Sequence, residues 1–234
     1  MRDGSPKKAI VYPGCILSVV VNAIATVEIA DYAHLYQWDE DTFLHNGGDG
    51  CFAAITFRGE HLVGTFFDHE SPRSPFRCGD AFDVNVFFRG MPASHQSLAE
   101  RCLMYWHSEL GGKYVPDVTA ACWDEGEYLA TAEPWEDAWS NGVHVIRRQL
   151  ISDLEVALAE WKVNFMLLPE QIELARSLFQ RKMAHPSSDI DLTPAQVQFL
   201  RSTAGGPNDY EAGRRVFAAI RIHMPPWEGA EQGQ

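Results

Sequence analysis

The sequence lacks the patterns by which membrane spans and cysteine-rich domains are usually recognised. Its longest apolar stretch, residues 15–24, is broken by Ser18 and Asn22, so no unbroken run of about 18 apolar residues predicts a spanning helix. The 5 cysteines are widely spaced and include no Cys-x-x-Cys pair, which argues against a disulfide framework and a zinc knuckle. Isolated cysteines of this kind are typical of buried thiols in a reducing compartment.

Targeting and nucleotide-binding motifs are also missing. Lys7 and Lys8 precede the apolar stretch as in a signal peptide, but Pro13 and Gly14 interrupt it early, so we expect a cytoplasmic protein. The glycine-rich segment 46–51 has no Lys-Ser or Lys-Thr and matches neither a P-loop nor a dinucleotide fingerprint. Because no catalytic motif is complete, the sequence favours a protein that is not an enzyme and needs no cofactor.

Positive charge is scarce, and its distribution along the chain is uneven. The chain has 19 Lys and Arg against 32 Asp and Glu, a net charge of −13. From residue 168 onward the two signs nearly balance, so the surplus of carboxylates lies in the first two thirds. Acidic side chains repel phosphate backbones and anionic lipids, which predicts no nucleic-acid and no membrane partner. They attract a basic protein instead.

The hydrophobic pattern predicts strands first and helices afterwards. β-branched residues dominate residues 10–21, which indicates a strand, and apolar residues at helical spacing predict a helix over 27–36. Alternating residues predict a hairpin of 53–57 and 63–67, with a third strand over 83–88. The fold class expected is α+β, a small antiparallel sheet packed against a helix-rich C-terminal part.

Capping signals predict the helices of the second half. Ser97 and Glu100 have capping-box spacing before a helix that the glycines at 111 and 112 should end. Further helices are expected over 150–167, from Pro169, after Thr193 as N-cap, and in a fourth segment that Asn208 and Glu211 cap. Residues 113–142 look irregular and give the one credible sub-boundary in a single domain 1–234, whose ends, 1–8 and 226–234, should be loose.

One group of residues allows an enzymatic alternative. Asp68, His69 and Glu70 follow the second hairpin strand, where carboxylates and an imidazole can bind a metal or transfer protons. A metal-assisted hydrolase would use Asp68, Glu70 and histidines such as His61, His69 or His107. A cysteine nucleophile at Cys51 or Cys78 also stays open, although neither has a family-type signature around it.

Aromatic residues interleave with carboxylates in the second acidic stretch, and this pattern predicts a binding surface. Aromatic side chains dominate binding hot spots, and carboxylates steer basic partners. The predicted partner-binding residues are Asp39, Glu40, Asp41, Trp123, Asp124, Glu125, Glu127, Glu133, Trp135, Glu136, Asp137 and Trp139. The leading hypothesis is an acidic module that sequesters or inhibits a basic protein, such as a bacterial immunity protein that neutralises a toxin.

Overall fold

The computed structural model describes residues 5–227, and these group into two units that interleave in sequence. The first unit comprises Met1–Tyr12 and Asp41–Leu150, and the second comprises Pro13–Glu40 and Ile151–Gln234. Helix makes up 49% and strand 21%, with the sheet in the N-terminal part and most helices in the C-terminal part. The predicted α+β class is confirmed, whereas the single domain and its sub-boundary remain predictions.

The regular elements are numbered in chain order. The strands are β1 (Tyr36–Asp39), β2 (Thr42–Asn46), β3 (Cys51–Arg58), β4 (His61–Asp68), β5 (His107–Leu110), β6 (Lys113–Pro116), β7 (Ala120–Glu125), β8 (Tyr128–Ala130), β9 (Ile190–Asp191) and β10 (Ile222–His223). The α-helices are α1 (Val11–Glu28), α2 (Pro75–Cys78), α3 (Gln96–Leu103), α4 (Trp135–Ser140), α5 (Leu154–Phe165), α6 (Pro169–Ala184), α7 (Pro194–Thr203) and α8 (Pro207–Ala219).

An antiparallel sheet organises the first unit, where its strands lie in the order β2-β3-β4-β7-β8. The predicted hairpin is confirmed as β3 and β4, joined at Gly59, whose φ of 59° suits the tight turn. Strand β7 pairs with β4, so that Val63 lies opposite Trp123. This pairing brings the beginning of β4 next to the end of β7, where one of the two candidate sites lies.

Two expectations for the first unit are wrong. Residues 84–88 form a 3-10 helix rather than a strand, because Asp83 accepts a hydrogen bond from the backbone of Asn85 and so starts a helical turn. The helix from residue 97 ends at Leu103, and residues 107–110 form β5 of a hairpin with β6. Gly111 and Gly112 adopt φ values of 58° and 79° in that hairpin turn, which is why they look like a helix stop in the sequence.

The stretch 113–142 is more regular than its composition suggests, since it contains β6, β7, β8 and α4. The start of the chain is bound to it: Lys8 N–H donates to Glu127 O at 2.9 Å, and Leu129 N–H donates to Pro6 O at 3.0 Å. Residues 6–8 are therefore held in place, contrary to the expectation of a loose end. Residues 1–4 and 228–234, also expected to be loose, lie outside the described residues.

The expected strand over 10–21 is instead part of α1, most of which belongs to the second unit. Its residues from Cys15 to Val27 are buried, with exposures of 0–3%, so every face of the helix is covered, including the face that carries Ser18, Asn22 and Thr26. Complete burial explains how its β-branched residues fit a helix, because tertiary packing outweighs their weak strand preference. Ser18 Oγ donates to Gly14 O at 2.7 Å and Thr26 Oγ1 donates to Asn22 O at 2.7 Å, one turn back in each case, whereas Asn22 Nδ2 donates to Tyr36 O at 3.0 Å.

The rest of the second unit is mostly helical and contains the short strands β1, β9 and β10. The helix expected over 27–36 is wrong, since a 3-10 turn, Ala30–His34, leads directly into β1. The later helices are confirmed as α5 to α8, and Thr193 caps α7 with the reciprocal hydrogen bonds of a capping box. Gly206, rather than the predicted Asn208, is the N-cap of α8.

One helix of the described residues has the length and composition of a membrane span. It covers Lys8–Glu28 with a mean hydropathy of 2.0, and 83% of its most apolar window is buried inside the protein. The expectation of no such helix was wrong, because it considered only unbroken apolar runs. Burial of this extent is the property of a core helix, although a signal sequence has the same composition.

Candidate functional site

Several of the predicted binding residues are already paired with cations. The Asp41 carboxylate lies 3.0 Å from Arg58 and 3.8 Å from Arg101, and Glu133 forms an ion pair with Arg73. Neutralised carboxylates contribute little to the electrostatic field that a partner would meet. Asp41 and Glu133 therefore add less to a binding surface than the sequence suggests.

Two other predicted residues are buried. Trp123 is 3% exposed and packs in a core cluster with Leu98 and Cys102, and Asp124 is 5% exposed. Both lie on β7, where neighbouring strands and helix α3 cover them. Because the sequence pattern assigned this stretch to an irregular loop, it predicted surface positions that the structure does not provide.

The other predicted carboxylates are on the surface. The exposed acidic residues of the set are Asp39, Glu40, Glu125, Glu127, Glu136 and Asp137. Among residues 5–227, no cation pairs with Glu127, Glu136 or Asp137. These three belong to the first unit, while Asp39 and Glu40 belong to the second. Within the predicted set, the unpaired acids of the first unit thus lie on α4 and in the turn before β8, while other acids of this unit, such as Asp49, Glu60 and Glu109, lie elsewhere.

Trp135 and Trp139 form one wall of a cleft in the first unit. They lie one helical turn apart on α4, with ring centroids separated by 6.5 Å. The cleft has a volume of about 670 Å³ and is also lined by Pro6, Ile10, Glu136, Ser140, Arg147 and Leu150. It therefore combines apolar walls with one unpaired carboxylate, and Arg147 supplies a positive charge.

Local sequence explains why α4 presents these side chains. Pro134 precedes the helix with the extended backbone that helix entry needs, and Glu136 and Asp137 occupy its first turn. Carboxylates at that position interact favourably with the helix dipole. The spacing of the two tryptophans was the signal for one shared face, but their acidic neighbours made the segment look like a loop.

A second cleft, of about 370 Å³, has mixed charge. It is lined by Arg73, Arg89, Asp83 and Glu133 together with apolar residues such as Phe87. Arg73 and Glu133 pair with each other. Positive and negative groups are equal in number here, so this cleft has no preference for a ligand of either charge.

A buried carboxylate collects several donors at the junction of β4 and β7. Asp124 Oδ2 lies 3.3 Å from His61 Nδ1, and Asp124 Oδ1 lies 2.9 Å from His95 Nε2. The backbone N–H of Leu62 donates to Oδ1 at 2.7 Å, and the Lys8 ammonium lies 3.6 Å from Oδ2. Groups from three segments distant in sequence therefore converge on one side chain.

These contacts keep the Asp124 carboxyl ionised. Burial alone would raise its pKa, but hydrogen bonds from Leu62 N–H, His95 and His61 outweigh burial and hold the pKa below its usual value. Because a carboxylate only accepts hydrogen bonds, each imidazole donates through the nitrogen that faces it. His95 is 3% exposed, whereas the His61 side chain is 48% exposed, so the cluster opens to solvent on the His61 side.

The residues predicted for a metal-assisted hydrolase are brought together only in part. Asp68 and His69 lie near Cys51, with the Cys51 Sγ 3.9 Å from Asp68 Oδ1. His61 belongs to the Asp124 cluster instead, and His107 is exposed on β5. Sequence reasoning missed His95, because only the pairing of β4 with β7 and the turn before α3 bring it to Asp124.

The Cys51 thiol is not activated. Burial, together with the nearby Asp49 and Asp68 carboxylates, raises its pKa to about 12. A thiol with this pKa stays protonated at neutral pH and is a poor nucleophile and a poor metal ligand. The glycine-rich segment before it is closed by its own hydrogen bond, from Gly47 N–H to Cys51 O at 2.9 Å.

Comparisons with protein-family models, with curated proteins and with solved structures found no match to this chain.

Proposed function

We propose that this chain is a binding protein that captures a basic protein partner at the cleft of Trp135 and Trp139. One observation carries the proposal: an exposed, unpaired carboxylate, Glu136, lines the same cleft as two indole rings. A lysine or arginine side chain fits such a site, since the rings attract a cation through their faces and the carboxylate pairs with it. Asp137 and Glu127 extend the negative charge beyond the cleft.

The charge of the chain supports the same function. A net charge of −13 attracts a basic partner before the two proteins are in contact, and this attraction raises the rate of association. The apolar walls from Pro6, Ile10 and Leu150 then provide area that loses water when the complex forms. Arg147, the one cation of the cleft lining, favours a partner that places an acidic group beside its basic residues.

In this proposal the protein is cytoplasmic and inhibits the partner by covering a basic surface. A bacterial immunity protein that blocks a toxin is one instance, because inhibitors of nucleases present carboxylates where an anionic substrate would bind. The metal-assisted hydrolase has less support, since only Asp68 and His69 of its proposed residues come together, beside a Cys51 thiol that stays protonated. Identifying the genes adjacent to the gene for this chain tests whether it is an immunity protein, because an immunity gene lies next to its toxin gene.

Charge reversal on α4 tests the cleft directly. We expect the double variant Glu136→Lys and Asp137→Lys to bind a deca-lysine peptide at least about tenfold more weakly than the wild type. Tryptophan fluorescence titrations at about 50 mM and about 300 mM salt measure the affinity, which should fall as salt rises.

The matched control is the double variant Glu100→Lys and Glu170→Lys. It changes the net charge equally, and Glu170 occupies the first turn of α6 as Glu136 does in α4. The control should bind the peptide far more tightly than the α4 variant. Equal losses in both variants would show that only total charge matters, and the proposed cleft would be wrong.

The natural partner is tested by affinity capture from the source cells with the same three proteins. The proposal expects a basic protein that the wild type and the control capture and that the α4 variant loses. Capture of an acidic protein, or capture that the α4 substitutions leave unchanged, would contradict the proposal.

A further inference from the structure

We infer that His61, His95 and Asp124 form a binding site for a divalent transition-metal ion of the zinc class. The site lies in the first unit, and none of its three residues lines the tryptophan cleft. Its three side chains come from the beginning of β4, from the turn before α3 and from the end of β7. A bound ion would join these three elements at one point.

The spacing of the ligand atoms fits this ion. Zinc is bound by imidazole nitrogen and carboxylate oxygen at about 2.0 to 2.2 Å in tetrahedral geometry, which places neighbouring ligand atoms about 3.3 Å apart. His61 Nδ1 and Asp124 Oδ2 are 3.3 Å apart, and His95 Nε2 and Asp124 Oδ1 are 2.9 Å apart. All three ligand atoms lie within 4.8 Å of one another. Small side-chain movements therefore suffice to enclose an ion.

Neighbouring groups hold the ligands in orientation. Metal binding would replace the Nε2 proton that His95 donates to Asp124, and Ser94 Oγ, 3.1 Å from His95 Nδ1, can then accept the Nδ1 proton and leave the lone pair of Nε2 directed at the ion. The Leu62 N–H, 2.7 Å from Oδ1, fixes the carboxylate. Partners of this kind are the usual support of zinc ligands in proteins. Two imidazoles and one carboxylate leave a fourth position open on the exposed His61 side.

Lys8 supplies a second observation that points to a cation. Its ammonium lies 3.6 Å from Asp124 Oδ2 and donates a hydrogen bond to Glu60 O at 3.1 Å. The positive charge thus lies beside the carboxylate that would bind the metal, and the two compete for it. Removing this charge should strengthen metal binding, which a purely structural role of Asp124 would not predict.

The other histidine-containing cluster is less suitable. It consists of Cys51, Asp68 and His69, and its thiol is protonated at neutral pH. The His69 imidazole lies 2.8 Å from Glu70, outside the protein core. His69 therefore serves as a histidine control from the competing cluster, and His107 serves as an exposed histidine outside both.

Zinc chloride titrated into the purified metal-free protein tests the site. We expect one equivalent to bind by calorimetry, and the melting temperature to rise by about 5 to 10 °C at 100-fold excess over Kd. Magnesium and calcium should give no shift, because they prefer oxygen ligands. Cobalt(II) should give the visible absorption bands of a tetrahedral site with nitrogen ligands.

Variants at the exposed His61 and Ser94 and at the half-buried Lys8 keep the test independent of folding. His61→Ala should weaken zinc binding at least about tenfold, and Ser94→Ala should weaken it to a similar or smaller degree. Lys8→Ala should tighten zinc binding about tenfold, since it removes a cation close to the ion. His69→Ala and His107→Ala should bind as the wild type does.

Two outcomes would overturn the inference. If zinc fails to bind both the wild type and Lys8→Ala, Asp124 is only a centre of hydrogen bonds. If His69→Ala or His107→Ala abolishes binding while His61→Ala does not, the ion binds elsewhere. Neither outcome would contradict the proposal that a basic partner is captured at the tryptophan cleft.

Discussion

At the scale of single residues, His45 is a neutral imidazole inside the first unit. It lies on β2 and is 7% exposed. Burial lowers its pKa from 6.5 to about 4, and Arg148 adds to this effect, while Asp49 and a hydrogen bond with the Val145 backbone oppose it. The folded protein therefore resists protonation of this side chain.

The low pKa of His45 predicts a loss of stability in mild acid. Between pH 6.5 and about 4 the unfolded chain binds a proton that the folded chain does not, so stability falls as pH falls. The contribution is about 1.4 kcal/mol per unit of pKa difference, or about 3 kcal/mol across this window. Urea unfolding at several pH values measures it.

His45→Gln removes the titrating group and should flatten this part of the pH profile. His107→Gln, which replaces an exposed histidine, should leave the profile unchanged. A His45→Gln variant with the wild-type dependence between pH 4 and 6.5 would show that this imidazole is not the group responsible.

At the scale of elements, α1 and α8 approach each other closely in the second unit. The position of Gly213 on α8 allows this approach, since a Cβ there would lie 2.5 Å from Val27 Cγ2 and 2.9 Å from Ala23 O. Gly213 is buried, and the atoms it faces include helix backbone that cannot move aside. The absence of a side chain is therefore a packing requirement.

Gly213→Ala should lower the free energy of unfolding by about 1 to 3 kcal/mol, as overpacking does. At an exposed helix position a glycine-to-alanine change would raise the free energy of unfolding by about 1 kcal/mol. The sign of the effect therefore shows whether α1 and α8 pack closely at Gly213. Ala218→Gly, at an exposed position of the same helix, is the control and should cost about 1 kcal/mol. Stabilisation by Gly213→Ala in denaturant unfolding would contradict the close packing.

Elements with local signals were predicted well, and those defined by distant contacts were not. The β3–β4 hairpin and the helices after Pro169 and Thr193 follow from alternation and caps within a few residues. Strand β7 was missed because Ala120, Ala121 and Cys122 have little strand preference and depend on β4 for pairing. The α1 helix was mistaken for a strand because its burial on all sides cannot be read from β-branched composition.

The candidate sites follow the same rule. The interleaving of tryptophans with carboxylates is local, so Trp135, Glu136, Asp137 and Trp139 were predicted as binding residues, and their role in binding stays a prediction. His95 could not be predicted, because its contact with Asp124 depends on a turn 29 residues away in sequence. The burial of Trp123 and Asp124 was missed because strand β7, on which both residues lie, was not predicted.

At the scale of the whole molecule, the most apolar helix lies inside the protein. The window with mean hydropathy 2.0 is 83% buried, so its apolar surface is not available to a lipid bilayer while the chain is folded. A membrane could take up this helix only if the packing around it were lost. The net charge of −13 adds repulsion from anionic lipids.

We therefore expect the folded protein to stay at the bottom of a density gradient with neutral phosphatidylcholine vesicles. Neutral lipid separates the effect of burial from that of charge repulsion. A synthetic peptide covering Lys8–Glu28 is the positive control and should float with the vesicles. Flotation of the folded protein would indicate that α1 leaves its core position.

Residues 6–10 contribute to both sites of the first unit. Pro6 and Ile10 line the tryptophan cleft, while Lys8, between them, lies beside the Asp124 carboxylate. An ion that displaces the Lys8 ammonium would therefore disturb the segment on which the cleft depends. If the ion changes the affinity for the basic partner through this segment, thermodynamic reciprocity requires the partner to change the affinity for zinc by the same factor.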